Sequence, residues 1–221
     1  MFARATVLPG VSLRAVADHL YSQGFKGVFT ALVSAGGPGV RFTEEDLRDL
    51  EADLVNLADR LVASTKERTW FWYRNIEAFA RLVFHGKRRT RGCRAGTGYL
   101  AVAPDGGLYP CHRFVGEPDW RMGSVDSGLD PGARDRLRAL SVDSFEGCGG
   151  CWIRYLCGGG CLYHRWISSP GLDGSDPVFC RVMEAMVRAG IRAASRLEES
   201  DVRFLQESTR SLGHQADKIG I

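Results

Sequence analysis

Apolar positions along the chain switch between a period of two and a period near 3.6, and the switches mark the elements. Phe2 to Leu8 reads as a strand ended by Pro9-Gly10. Ser12 stands where a helix cap belongs, and Leu13, Val16, Leu20 and Tyr21 then share one face of a helix running to Gln23. Gly24 and Gly27 punctuate, and Val28 to Val33 reads as a buried strand. Strand, helix, strand is the unit of a parallel α/β fold. Gly36-Gly37-Pro38-Gly39 reads as a loop. Thr43 caps a long helix to about Ser64, with Glu44, Glu45 and Asp46 in its first turn, where negative charge suits the helix dipole. Leu47, Leu50, Leu54, Leu57 and Leu61 recur at three and four residues, which predicts a core-facing seam. The run Trp70-Phe71-Trp72-Tyr73 leads into a further helix through Phe84.

Beyond residue 90 the pattern shortens. Tyr99–Ala103 and Leu108–Cys111 read as a hairpin turned at Asp105-Gly106-Gly107, with Gly106 supplying positive φ. That turn brings Cys111 back beside the segment that starts at Cys93. Arg134–Leu140 reads as a short helix, and Cys148–Cys161 as a compact glycine-rich loop. Pro177 opens a helix to about Leu197 that carries Cys180 in its first turn. Residues 198–221 are polar, helical in part and then frayed.

A length of 221 residues gives room for one or two domains. The apolar share of 44% and charged share of 25% are those of a globular protein. A net charge of +3 is too small to argue for nucleic acid or a membrane surface. No stretch reaches the ~18 apolar residues that a membrane span requires, and the N-terminus lacks the features of a signal peptide. Seven cysteines, an odd number, fit a disulfide framework poorly. Metal-bound thiolates in a reducing cytoplasm are the better reading.

Those cysteines form one spaced array. Cys93 is followed by twelve residues, Gly106, four residues and Cys111. After a gap come Cys148-x2-Cys151-x5-Cys157-x3-Cys161, and after a second gap Cys180. Thiolates this dense imply a soft metal: Fe–S clusters, zinc or Cu(I). Zinc wants four N/S ligands, often from paired knuckles, and only one Cys-x2-Cys pair is present. Seven thiolates would fill two zinc sites only with His112, His164 or His85 as an eighth ligand. Spacing alone does not separate iron from zinc. Gly158-Gly159-Gly160 is not a phosphate loop, since no Lys-Ser/Thr follows it. Cys148-Gly149-Gly150-Cys151 lacks the βαβ surroundings of a thioredoxin-like pair. Lys87, Arg88, Arg89 and Arg91, just before Cys93, read as solvated charge, or as charge that raises a nearby cluster's potential or meets an acidic leader peptide.

The array, with its glycine, resembles the SPASM domain, the C-terminal extension of radical S-adenosylmethionine (SAM) enzymes that mature peptides and proteins. The resemblance covers residues from about 90 to 185. Through Gly92–Val125 it is closest to maturases that install thioether crosslinks in cysteine-rich peptides. It implies an α/β fold: residues 1–88 as the last part of a (β/α) barrel, 89–190 as an irregular SPASM domain with a β-hairpin and two [4Fe–4S] clusters, and 191–221 as a C-terminal helix and tail. Carried over, Cys148, Cys151, Cys157 and Cys180 correspond to the fully ligated distal cluster. Cys93, Cys111 and Cys161 correspond to the proximal cluster and leave one iron without a protein ligand from this chain. That iron would take a substrate cysteine thiolate, or else water, a small thiol or His112. Sulfatase-maturing relatives have a proton-accepting aspartate where this chain has His112, which puts that activity in doubt. Tyr163, His164 and Trp166 would shield the clusters.

The implied activity is maturation of a ribosomally made precursor peptide or protein, by carbon–sulfur bond formation at cysteine. The Cys-x3-Cys-x2-Cys motif that holds the SAM-cleaving cluster is missing, because no cysteine precedes Cys93. SAM and a third cluster are therefore expected only in a full-length or partner protein, and the chain is expected to be a fragment, a split enzyme or a degenerate relative. The alternatives are a noncatalytic Fe–S electron-transfer or peptide-binding module that works with a separate radical SAM protein, and maturation of a quinohemoprotein amine dehydrogenase subunit.

Overall fold

The computed structural model describes residues 1–33, 40–169 and 171–211, with side chains to 209. The Gly36–Gly39 loop and the end of the polar tail lie outside the described residues. The chain runs β1 (Phe2–Val7), α1 (Leu13–Ser22), β2 (Gly27–Leu32), α2 (Glu44–Lys66), β3 (Trp72–Tyr73) and α3 (Arg74–Phe84). It continues through β4 (Ala101–Val102), β5 (Leu108–Tyr109), β6 (Gly123–Ser124), β7 (Gly128–Leu129), α4 (Pro131–Ala139), α5 (Arg154–Cys157) and α6 (Leu162–Ser168). It ends with α7 (Pro177–Ala194) and α8 (Glu199–Ser211). The described residues form two compact units: Met1–Arg88 together with 177–211, and Arg89–Asp176.

In the first unit β1, β2 and β3 form a parallel sheet in that order, with Phe2 opposite Gly27 and Gly27 opposite Trp72. The sheet is small and open, and three strands do not close a barrel. Trp72–Tyr73 forms a short strand and leads directly into α3, which ends at the expected Phe84. Both residues are fully buried, and this parallel strand carries apolar bulk on both faces instead of alternating. Ser12 caps α1 by accepting from the Ala15 N–H. Thr43 and Asp46 form a reciprocal capping box at the start of α2. All five seam leucines of α2 are buried, each worth about 1.5–3 kcal/mol of apolar transfer. α7 packs on α2 and α3. Asn75 at the start of α3 accepts from the Thr30 N–H (3.0 Å) and donates to the Thr30 carbonyl (2.8 Å), which fixes α3 to β2. Arg181 of α7 pairs with Glu44 and Glu51 of α2, and Arg192 with Asp59.

The second unit is built differently. Its strands are two residues long, in the pairs β4–β5 and β6–β7. Gly106 has φ +77° in the β4–β5 turn, as that turn requires. Asp130 caps α4 and Pro131 takes its first position, so the helix begins three residues before the expected Arg134. Apolar residues collect in three small cores: Ala95, Ala103, Tyr109, Cys111 and Phe114; Leu108, Met122, Ala133 and Leu137; and Val142, Phe145 and Cys148. Among the described residues no helix is long and apolar enough to cross a membrane.

Candidate metal centre

Three separate segments bring Cys93, Cys111 and Cys161 within electrostatic range of one another. The first and second are joined where Gly96 N–H donates to the carbonyls of Tyr99 and Pro110 (3.0 and 2.9 Å), next to Cys111. The first and third are joined by backbone packed on backbone. A Cβ at Gly92 would lie 2.0 Å from the Gly160 carbonyl oxygen, and one at Gly158 would lie 2.4 Å from the Arg91 carbonyl carbon. The glycines at 158–160 all take positive φ, so the loop can turn back against Arg91–Gly92 before reaching Cys161. This close approach is why glycines separate the third and fourth cysteines of the central run.

Cys111 is buried, and burial pushes its thiol up; the nearby Cys161 and Cys93 push it further. The N–H groups of Arg113 and Phe114 face its sulfur and oppose the rise, without a close capping bond. Cys161 stands at the start of α6 in the same way. Burial and then Cys93 raise its thiol, while the N–H groups of His164 and Tyr163 and the charge of Arg113 lower it. Arg113 Nη1 lies 3.9 Å from Cys161 Sγ, a long contact even for sulfur. Tyr99 senses all three thiols: burial raises its hydroxyl most, and Cys93, Cys111 and Cys161 each add to the rise.

An aromatic wall backs these thiols. Phe114 is fully buried, with Trp120, Tyr163 and Trp166 at 4.2, 5.2 and 5.6 Å between ring centroids. Cys93 and Tyr163 pack against the same core as Cys111. Phe114 and Trp120 were invisible as site residues in the sequence. Their only signal was aromatic content three and nine residues after Cys111.

Cys148, Cys151 and Cys157 follow one another through tight turns. Cys148 N–H donates to the Phe145 carbonyl, Cys151 N–H to that of Cys148, and Cys157 N–H to that of Ile153. Arg165 reaches into this loop from α6. It is 4% exposed, its Nη2 lies 3.0 Å from Cys148 Sγ, and its guanidinium sits over the Phe145 ring at 4.1 Å. Cys180 is in the first turn of α7, in the other unit, and is exposed.

No cysteine is in a disulfide. Among the described residues no three or more His, Cys, Asp or Glu side chains converge as ligands of a single ion. Ligands of one ion must meet at a point, whereas ligands of a polynuclear cluster each take a different iron and stand apart. Cys111 and Cys148 are buried sulfur donors. With N–H groups turned toward sulfur at Cys111 and Cys161, and Arg165 at Cys148, the arrangement fits a thiolate-ligated cluster. The candidate histidines are engaged or remote. His85 hydrogen-bonds Gln206 in the first unit, His112 is exposed, and buried His164 lies 3.6 Å from Asp176. The basic run is not simply solvated: Arg91 Nη2 donates to the carbonyls of Leu137 and Arg138 at the end of α4, and Arg89 to the Gly92 carbonyl.

No family model matches the chain. An uncharacterized protein of Archaeoglobus fulgidus is 27% identical over 119 residues, which is 48% of this chain and 28% of that protein. Among solved structures the chain is similar to anSMEcpe with bound AdoMet: TM-score 0.61 and 17% identity, over 92% of this chain and 57% of that one. It is also similar to anSMEcpe with AdoMet and the Kp18Cys peptide (0.55, 15%) and with AdoMet and the Cp18Cys peptide (0.56, 16%), each over 94% of this chain and 57% of the other. The chain shares its fold with these solved structures. The chain spans a little over half the length of these solved structures and under a third of the curated relative.

Proposed function

We propose that the chain is the auxiliary-cluster portion of a radical SAM enzyme that matures a ribosomally made peptide or protein in a reducing cytoplasm. The observation that carries this reading is the placement of Cys93 and Cys111 on one core with an aromatic wall, with Cys161 in electrostatic range of both, on a fold shared with a structure that holds AdoMet and a peptide. Cys93, Cys111 and Cys161 would hold one [4Fe–4S] cluster, and Cys148, Cys151, Cys157 and Cys180 the other. Such clusters, when bound, accept single electrons, and an iron lacking a protein ligand is a thiophilic Lewis acid.

The chain's own residues have separable parts in this. The Phe114, Trp120, Tyr163 and Trp166 wall keeps water from the three-cysteine site. The N–H groups at the starts of the 112–114 turn and of α6 favour the thiolate forms of Cys111 and Cys161. Three cysteines leave room for a substrate cysteine as the fourth ligand, which supports carbon–sulfur thioether formation as the reaction. Residues 1–92 contain no cysteine, so the SAM-cleaving site belongs to a further segment or a partner. A noncatalytic electron-transfer or peptide-binding module is the second reading, favoured by that same lack.

Anaerobic reconstitution tests the proposal. About eight irons and eight sulfides per chain are expected, from two four-iron clusters. The EPR signal of one reduced cluster should shift on adding a cysteine-containing peptide and not its serine counterpart. Stoichiometric zinc without visible charge-transfer absorption would overturn the metal assignment. Clusters that no cysteine peptide perturbs would favour the electron-transfer module.

A further inference from the structure

Arg165 is almost fully buried, yet among the described residues no carboxylate pairs with it. Nη1 donates to the carbonyls of Leu172 (3.1 Å) and Gly174 (2.5 Å), and Nη2 to Cys148 Sγ (3.0 Å) and, at 3.5 Å, the Gly159 carbonyl. Nε is buried with no hydrogen-bond partner. Carbonyl dipoles offset part of the cost of burying a guanidinium, but a buried charge calls for an opposite charge. Cys148 sulfur is the group placed to carry it, as a metal-bound thiolate. The contrast with Arg113 is clear: that side chain is only part-buried, and its contact with Cys161 is 3.9 Å.

We propose that Arg165 raises the reduction potential of the cluster held through Cys148, Cys151 and Cys157, making it the more readily reduced of the two. This inference rests on the function proposed above. Reduction by one electron adds one negative charge to the cluster, and that charge spreads onto the ligand sulfurs. A buried cation and an N–H donor on one of those sulfurs stabilise the reduced form more than the oxidised form. Net charge, hydrogen bonds to sulfur and burial are what set such potentials. The same fork braces residues 172–174, so α6 holds the loop and tunes the cluster with one side chain.

The test is an EPR-monitored redox titration of the reconstituted full chain, with dithionite as electron donor. Wild type should show two midpoints. Arg165→Gln should lower the higher one until that cluster is about tenfold less reduced at a fixed potential, a shift of about 59 mV for one electron, and leave the other unchanged. Arg165→Lys keeps the charge without the fork, and its midpoint should fall in between. If wild type binds no clusters, the functional reading fails before any variant is compared. If wild type shows both midpoints and Arg165→Gln shifts neither, or both equally, this inference alone fails. Should Arg165→Gln lose the cluster, Arg165→Lys decides: a lowered midpoint supports the inference and a wild-type midpoint overturns it. Loss of the cluster in both variants makes Arg165 a brace only, and overturns it too.

Discussion

The two units solve the folding problem with different materials. The first has two six-residue strands in parallel register beside the short β3, a leucine seam on a 23-residue helix, and Trp72, Tyr73, Ile76 and Phe79 sealed from water. The second has two-residue strands, short helical turns and three separate cores, two of which include a cysteine. Fixing the backbone costs about 1–2 kcal/mol per residue in either unit. Apolar burial offsets that cost in the first. In the second, apolar burial is spread over small cores, and on the proposed function ligand bonds would supply part of the offset, as in small metal-stabilised domains. The lesson concerns cause: on the proposed function, the cysteines of the second unit are what its fold would be organised around.

The largest expected effect follows from that difference. Cys151→Ala should remove one cluster and strip protection from much of residues 89–176, while β1, β2 and α2 keep theirs. Amide hydrogen exchange on the full chain, wild type against variant under anaerobic conditions, reads both units at once. Equal loss of protection in both units would break the comparison, as would full protection of 89–176 in protein freed of iron.

Next in size is a core truncation in the first unit. Leu61 is fully buried in the α2 seam. Leu61→Ala should cost about 2–5 kcal/mol, for lost transfer energy plus the cavity left behind. Urea unfolding should show that loss as a lower midpoint, with iron content of the remaining folded chain unchanged. A cost below ~1 kcal/mol would mean the seam is less tightly packed than its burial indicates.

A smaller loss is expected at Asn75. Its amide satisfies both the N–H and the C=O of Thr30 in a buried place. Asn75→Ala leaves both without that partner and should cost about 1–3 kcal/mol. Exchange at Thr30 should accelerate more than at its β2 neighbours; uniform acceleration would point to global destabilisation instead.

The same contrast decides what could be read from the sequence. The first unit was legible because its elements are long enough for periodicity to show: Ser12, Thr43 and the five seam leucines mark α1 and α2. β3 escaped because two aromatic residues before a helix carry no period of their own. The β4–β5 hairpin was legible through Asp105-Gly106, a local rule. β6, β7 and α6 were not, since two-residue strands lie below any pattern and α6 is hidden behind the cysteine spacing. Arg165 on Cys148 and Arg91 on the end of α4 join residues far apart in sequence. A lone arginine looks the same in sequence whether it is solvated or buried.

The smallest effect expected is electrostatic and confined to the first unit. Asp59 on α2 accepts from Arg192 Nε and Nη2 of α7 at 2.7 and 2.9 Å, and Arg196 adds a further bond. The Arg192 guanidinium, hydrogen-bonded to it, holds its carboxyl below the usual value of 3.8, and Arg196 adds to this. A carboxylate depressed in the folded state contributes stability that is fully present above its unfolded value. That contribution fades as pH falls through the folded value. The window is therefore below about pH 4, and this pair leaves stability flat through neutral pH. The side chains are 38% and 47% exposed, so solvent screens the pair and its worth is at most ~1 kcal/mol. Asp59→Asn should lower stability by no more than that at pH 7 and low salt. The difference from wild type should shrink in 1 M salt, where the Debye length falls to about 3 Å. It should also shrink as the pH drops below 4. Because the pair joins two helices of the first unit, and Cys93, Cys111 and Cys161 all lie in the second, the substitution should leave the EPR spectrum of the three-cysteine cluster unchanged. A change in that spectrum in Asp59→Asn would mean that the packing of α7 on α2 is felt at those cysteines, and the two units could no longer be treated as separately stabilised.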